Sequence, residues 1–486
     1  FDILCFARRD IEYAQIPSFI RIISPHAFGL CHKLEKIEFS TDSQLQIIRE
    51  EAFSFSGLNS IVIPKHVTKI GNEAFNQCKF LTNVEFSSNS ELKIIGKGAF
   101  VNSSIERIVI PYSVVFIDDF TFSECANLKS IEFSEKSELK MIGKKAFVDT
   151  QIDSIKIPSS VLIIKEIFSC CYLLQKVDFS ENSELRIIGD FTFFYTGLKR
   201  IVIPSHVILI GGNAFHHCHN LEEVEFAKNS ELRMIGDSAF GVSTLKRIKI
   251  PSHVIIIGAQ AFEECKFESF SFEENSELKF IGNKSFAYTS FESFTIPSNV
   301  TQINENAFEY CKNLINVVFS NNSKIKSIPS LFPNSSIKSI TIPDSLIELK
   351  DGLGNGASDL IEVKISPNNK NFVYYEDKFL LGKSDQKSDV FDILCFARRD
   401  IEYATIPSFI RIISPYAFAL CNKLEQIEFS TDSQLQIIRY GAFFDSSIQS
   451  ISIPSHVTKI ESHAFYDCTK LQKVEFLNVS ELKIIE

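Results

Sequence analysis

Tryptophan is missing from this 486-residue chain, no long run of lysine or arginine occurs, and nowhere do 18 apolar residues follow one another. The last absence leaves no candidate transmembrane helix in these residues. The second, with a net charge of −10 and acids interspersed among bases, denies nucleic acid an electrostatic footprint. No Gly-Lys-Ser or Gly-Lys-Thr follows the glycines of DGLGNGASD, residues 351–359, so that segment reads as a loosened structural element and not as a phosphate loop. No Ser, His and Asp set and no pair of carboxylates stands apart from a repeated position, which leaves no candidate catalytic constellation. An enzyme is not expected.

What the chain has instead is phenylalanine, 46 residues of it against 12 tyrosines, and 45% hydrophobic content, enough for a large buried core. So lopsided an aromatic content points to one packing solution copied many times. The prolines of the dipeptide Ile-Pro give the period. Pro17, Pro64, Pro111, Pro158, Pro204, Pro251, Pro297 and Pro343 follow one another at 46 or 47 residues, and Pro407 and Pro454 resume the spacing after a longer gap. Each period holds two repeats, here termed the IP repeat and the EF repeat, as in LNSIVIPKHVTKIGNEAFNQCKF followed by LTNVEFSSNSELKIIGKGAFVNSS, residues 58–104.

Alternation in SIVIP and NVEFS reads as a short strand with one buried face, closed by proline in the IP repeat. The later G-x-x-A-F-x-x-C fits a tight turn entering a short helical or 3₁₀ segment whose Ala and Phe point inward. A single repeat cannot bury that face, whereas stacked repeats can. The predicted fold is therefore a β-rich repeat solenoid with short 3₁₀ or helical turns, a parallel strand ladder of about 20 units of 23–24 residues.

IVIPSHVILIGGNAFHHC, residues 201–218, and IKIPSHVIIIGAQAFEEC, residues 248–265, resemble the treponemal-type leucine-rich repeats of BspA-like surface proteins of bacteria and protists. The resemblance covers nearly the whole chain. It implies a curved leucine-rich-repeat solenoid, attachment to host cells or matrix proteins, and no catalytic residues.

The stretch AFHHCHN, residues 214–220, gathers three histidines and a cysteine in the manner of a metal site. Its register argues otherwise. Three residues after the inward Phe, IP repeats carry Cys31, Cys78, Cys125, Cys171, Cys218, Cys265, Cys311, Cys421 and Cys468, where EF repeats carry Ser56, Ser103, Thr150, Thr196, Ser243, Thr289, Ser335 and Ser446. Cys218 is thus expected to be a packed thiol in a row of small residues, and His216, His217 and His219 to be solvent-facing. No metal and no cofactor is assigned. Cysteines two strand spacings apart, about 9.5 Å, are too distant for disulfides. Cys5, Cys170 and Cys395 lie off the register.

The period breaks once. The expected division is 1–10 as the end of a β-rich island, 11–365 as a first repeat array, 366–400 as an island interrupting it, and 401–486 as the start of a second, truncated array. FDILCFARRDIEYA opens the chain and returns at Phe391, so the sequence reads as a fragment that starts inside one island and stops inside an EF repeat. Glycan acceptor sequons occur at Asn102, Asn283, Asn299, Asn321, Asn334 and Asn478.

Function is expected on the strand face, which a solenoid offers as an extended surface for large partners. The outward side chain of the strand centre is Glu38, Val62, Glu85, Val109, Glu132, Lys156, Asp178, Val202, Glu225 and Lys249 in succession, and the acids resume at Glu428 and Glu475. Acids about 9.5 Å apart with apolar or basic residues between them suit a basic, elongated protein surface, or else merely keep the face soluble and discourage edge pairing. The expected function is a non-enzymatic cell-surface adhesin or antigen binding host-cell or matrix protein. Two alternatives are an intracellular protein-interaction scaffold and a variable surface array with little specific binding. The sequence does not fix oligomeric state.

Overall fold

In the computed structural model, which describes residues 2–477 and 479–486, successive repeats each supply a four-residue and a two-residue strand. Ser60–Ile63 and Lys69–Ile70 belong to one IP repeat, and Asn83–Phe86 and Ile94–Ile95 to the following EF repeat. The four-residue strand of the IP repeat stops where Pro64 withdraws a backbone donor. Its side chains alternate as the sequence dictates, with Ile61 and Ile63 buried and Ser60 and Val62 exposed.

The chain forms two compact bodies, Phe1–His253 and Val254–Glu486. In the first, the two-residue strands from Ile3–Leu4 to Met234–Ile235 pair in parallel, in sequence order, into one ladder. The four-residue strands pair less evenly. Ser60–Ile63 pairs along its whole length with Asn83–Phe86, up to Ile63 opposite Phe86, but Asn83–Phe86 meets the next IP strand only at Asn83 opposite Arg107. Lys36 opposite Ser60 repeats that single contact one period earlier. The rungs there therefore come in twos, splayed apart at the Phe ends of Lys36–Phe39 and Asn83–Phe86.

The second body repeats the arrangement. Ser293–Ile296 pairs fully with Asn316–Phe319, and Tyr403–Ile406 with Gln426–Phe429. Between these groups, Phe372–Tyr375 and Phe379–Gly382 form an antiparallel hairpin. Phe379–Gly382 then pairs antiparallel with Ile393–Ala397, whose first residues return to parallel pairing with Ile412–Ile413.

Inside each repeat, hydrogen bonds alternate in direction. Ala74, Asn76 and Cys78 donate to the carbonyls three residues back, while Glu73, Phe75 and Gln77 donate to Lys97, Ala99 and Val101 of the next repeat. Glu73 and Gln77 accordingly take left-handed φ values of 54° and 57°. A helix needs every donor to point along its own axis. The expected short helical or 3₁₀ segment is therefore a succession of turns, and no helix occurs among the described residues.

This geometry stacks one phenylalanine per repeat. Phe28, Phe53, Phe75, Phe100, Phe122 and Phe147 are fully buried, with successive centroids 5.0, 5.0, 5.2, 5.4 and 5.9 Å apart and planes within 9° of parallel. Stacked pairs at such separations contribute about 0.5–1.5 kcal/mol each beyond area burial. In the second body Phe286, Phe308 and Phe332 continue the motif at 5.6 and 5.7 Å, and Phe418, Phe443 and Phe465 at 5.1 and 5.2 Å.

Residues 2–14 recur unchanged as 392–404, in different surroundings. Phe6 is 65% exposed, whereas its counterpart Phe396 is fully buried beside the antiparallel strand Phe379–Gly382. Arg399, the counterpart of the exposed Arg9, is buried too. Its guanidinium donates to the carbonyls of Ala397, Ala417 and Tyr416 and to the Cys421 sulfur, and lies over the Phe396 ring. A Cβ at Gly354 would sit 1.8 Å from an Arg399 nitrogen, so this glycine of the DGLGNGASD segment makes room for the buried cation.

Left-handed φ costs a β-branched residue about 1–2 kcal/mol. Val242 is half-exposed at φ 52°, where EF repeats elsewhere place residues such as Asn102 at φ 54°. Val242→Asn is expected to raise the unfolding free energy by about 1 kcal/mol in a urea titration. An unchanged or lower midpoint would show that the turn is not strained there.

Candidate protein-binding face

The four-residue strands carry the side chains singled out from the sequence on their outward face. Val62, Val109 and Val202 are 50%, 50% and 44% exposed. Glu85, Glu132, Lys156, Asp178 and Lys249 are exposed, and Glu38 and Glu225 are half-buried. All ten lie in the first body, and Glu428 and Glu475 are exposed in the second.

The acids do not stand alone. Glu38 accepts from Tyr13 and pairs with Lys36 at 2.6 Å, Glu132 pairs with Arg107 at 2.6 Å, and Asp178 with Lys176 at 2.7 Å. Glu225 pairs with Arg200, Glu475 with Lys473 at 2.7 Å, and Glu428 accepts from Tyr403 and Gln426. Glu85 accepts from Asn83 at 2.8 Å. The hydrogen bonds from Lys36 and Tyr13 hold the Glu38 carboxyl below the usual carboxylate range, and Lys473 does the same for Glu475. Each partner comes from the column two residues before the strand's central position, a signal present in the sequence that a reading of one column passes over. A face neutralised in this way resists extra charge more than it seeks it.

The splayed rungs open a second feature that the sequence reading missed. The fourth residue of an IP strand, such as Ile63, is fully buried, whereas its EF equivalents Phe39, Phe86, Phe133, Phe179 and Phe226 are half-buried. Beside Phe39, Phe86 and Phe179 lie clefts of about 690, 450 and 790 Å³. In each, the Phe forms the floor, the serine-rich turn after it one wall, and the next IP strand with its proline the other: Val62 and Pro64, Val109 and Pro111, Val202 and Pro204. In the second body a cleft of this kind lies at Phe272. Turn length is the cause. From Phe86 to the next inward Leu92 the EF turn advances six positions, against four from Ile63 to Val67. The longer turn is pinned by Ser90, whose hydroxyl accepts from the Leu92 amide at 3.3 Å.

The cysteine register is a hydrogen-bonded seam. The Cys78, Cys125, Cys218 and Cys311 thiols donate to the carbonyls of Phe53, Phe100, Phe193 and Phe286 at 3.0–3.1 Å. Each also meets the Ser or Thr of the neighbouring EF repeat, as Cys218 meets Thr196 at 3.3 Å. Burial pushes these four thiols up to about 11. None of the described cysteines is in a disulfide.

The histidines beside Cys218 enter an aromatic stack. His216 stacks on Phe194, and His217 on Tyr195 at 4.4 Å. Both rings are half-buried, so they are less solvent-facing than the register suggests. Burial, reinforced by His217 and His219, lowers His216 to about 4. Among the described residues no group of three His, Cys, Asp or Glu side chains converges on a metal position. Of the sequons, Asn299 spends its amide on the Ser276 carbonyl at 2.8 Å, and Asn478 lies outside the described residues.

The family described as "BspA type Leucine rich repeat region (6 copies)" matches residues 3–108, 93–222, 162–280, 233–360 and 391–486. No curated protein matches. Among solved structures, a leucine-rich repeat protein from Bacteroides ovatus is 22% identical over 69% of this chain and 80% of its own, with a TM-score of 0.42. A leucine rich cell surface protein from Faecalibacterium prausnitzii is 19% identical over 98% of this chain and 92% of its own, at 0.30. The leucine-rich repeat protein of T. pallidum is 31% identical over 28% of this chain and 63% of its own, at 0.26.

The seam predicts thiol reactivity. At pH 8 the folded protein should expose Cys5 to an aromatic disulfide reagent at once and the half-buried Cys170 and Cys468 slowly. The buried thiols should respond only in denaturant, because the reactive thiolate is suppressed. Reaction of most of the twelve before unfolding would contradict a packed register.

Proposed function

The chain belongs to the BspA-type leucine-rich-repeat family, and from that premise we propose that it is a non-enzymatic, surface-displayed scaffold that binds host-cell or matrix proteins through its four-residue-strand face. One observation carries the reading. Three exposed valines, Val62, Val109 and Val202, stand among ions already paired with one another, beside clefts floored by Phe39, Phe86 and Phe179. Apolar knobs within a neutralised polar surround are what a protein interface uses for its energetic centre. The site thus consists of the twelve outward residues named above, with the valines as anchors and the acids as orienting groups. The division of the chain at an island spanning 366–400 is part of the same proposal.

A second reading, an intracellular scaffold using the same face, is favoured by the cysteines, none of which is in a disulfide and which suit a reducing compartment.

Biotin labelling of intact cells expressing the full-length protein separates the two. Labelling of this segment before permeabilisation is expected, and protection until the cells are opened would move the reading inside. In parallel, the triple variant Val62→Glu, Val109→Glu and Val202→Glu is expected to weaken adsorption to immobilised extracellular-matrix protein by about tenfold or more. Unchanged adsorption by the folded variant would remove the face from the account.

A further inference from the structure

The segment that occurs twice, as residues 2–14 and 392–404, is covered in one place and bare in the other. In the second body Phe379–Gly382 lies antiparallel along Ile393–Ala397, with Leu380 opposite Phe396 and Gly382 opposite Ile393. Asp392, Leu394, Cys395, Phe396, Ala397 and Arg399 are all buried there. In the first body the counterparts Asp2, Cys5, Phe6 and Arg9 are exposed, and Ile3 with them. Among the described residues no strand pairs with the outer edge of Ile3–Leu4. An unpaired edge lined with apolar side chains is a template for a further strand.

The inner side of the bare edge is already built as it is in the covered copy. The Asp2 carbonyl accepts from the Arg21 and Ile22 amides at 2.7 and 3.2 Å, the Leu4 carbonyl accepts from Ser24 at 2.9 Å, and the Ala7 amide donates to Ala27 at 2.8 Å. In the covered copy Asp392 accepts from Arg411 and Ile412 at 2.8 and 3.2 Å, Leu394 accepts from Ser414 at 2.9 Å, and Ala397 donates to Ala417 at 2.9 Å. The seat is thus pre-organised, and a strand that binds it need not reshape it. The covered copy also specifies what fits. Phe379 and Leu381 enter the core beside Leu394 and Ala397, with the Phe379 ring edge-on to Phe418 at 6.0 Å. The Ser384 amide and hydroxyl donate to the Asp392 carboxylate at 2.8 and 2.6 Å. Position 382 must be glycine, because a Cβ there would lie 2.8 Å from the Cys395 sulfur. Each of these contacts has its counterpart on the bare edge, in Leu4, Ala7, Phe28, Asp2 and Cys5.

From this identity we propose that residues 2–9 form a docking edge for an antiparallel β-hairpin with the chemistry of Phe372–Gly382, whose seated strand reads Phe-Leu-Leu-Gly with a serine two residues on. The hairpin extends the ladder by main-chain pairing, and its side chains set the register. Phe and the second Leu fill the space over Leu4 and Ala7, Gly clears the Cys5 sulfur, and Ser bonds to Asp2, as their equivalents do in the second body. The edge lies on the two-residue-strand ladder, so the inference goes beyond the strand-face reading and does not rest on it.

The test uses the full chain and a fluorescent peptide with the sequence of residues 370–385, which contains no cysteine. An isolated hairpin is marginally stable in water and must order itself on binding, so anisotropy is expected to give a Kd of about 10 μM. At saturation the reaction of Cys5 with an aromatic disulfide reagent, located by mass spectrometry of the labelled fragments, should slow by about tenfold or more, since the covered equivalent Cys395 is buried. A peptide carrying Gly382→Val should bind about tenfold more weakly, and so should the unaltered peptide to a Phe6→Glu chain, whose substitution at an exposed position leaves the fold intact. Absence of binding would overturn the proposal. Binding that leaves Cys5 reactivity unchanged, or that Phe6→Glu does not weaken, would place the peptide elsewhere and overturn it too. Self-association of the chain that Phe6→Glu abolishes and excess peptide does not would give the edge to another surface of a second copy, and the hairpin would fail as its occupant.

Discussion

A repeat of 23 or 24 residues has nowhere to put its own phenylalanine ring and no partners of its own for half of its turn amides. Both needs are met only by the next repeat. Phe75 lies flat between Phe53 and Phe100, and its amide donates to Ala99 in the following repeat. Everything else follows from this lateral dependence. The left-handed residues appear because alternate donors must turn outward, the small Cys or Ser fits where one repeat's thiol reaches its neighbour's carbonyl, and the strand face is left free because the interior is filled from the other side.

Much of this was legible before any coordinates. Alternation placed Ile61 and Ile63 inside and Val62 outside, and register comparison placed Cys218 in a packed row, because burial and spacing are properties of a repeated pattern. The turn conformation was not legible. A-F-x-x-C is compatible with a 3₁₀ segment when one repeat is considered alone, and only the bond from Gln77 to Val101 reveals that the donors leave the segment. The pairing of Glu132 with Arg107 was within reach, since both columns are written in the sequence, but it required reading across repeats and columns together. The two-residue excess of the EF turn was countable as well. Its consequence, a half-buried Phe86 beside an open cleft, needed the strand register.

The alternation of short and long turns gives the strand face its doubled period. A ladder of identical repeats would offer uniform spacing at one rung. Here full pairing of Ser60–Ile63 with Asn83–Phe86, followed by the single contact of Asn83 with Arg107, doubles the repeat and gives the surface a period of its own. Ion pairs within the face then neutralise it, which leaves apolar shape as the feature that distinguishes its exposed valines. The hairpin at Phe372–Gly382 is the local exception. There an antiparallel strand supplies the cover that a neighbouring repeat supplies elsewhere, and Arg399 fills the space with a cation held by carbonyl oxygens alongside the Cys421 sulfur.

The lateral dependence is tested most directly by native-state hydrogen exchange, followed by mass spectrometry, on Phe122→Ala. If each repeat is held by its immediate neighbours, protection should fall in the segments around Phe100 and Phe147 and stay at the wild-type level around Phe215 and Phe240. A uniform loss of protection along the first body would contradict the account, because it would mean that stability is shared globally and is not passed from repeat to repeat.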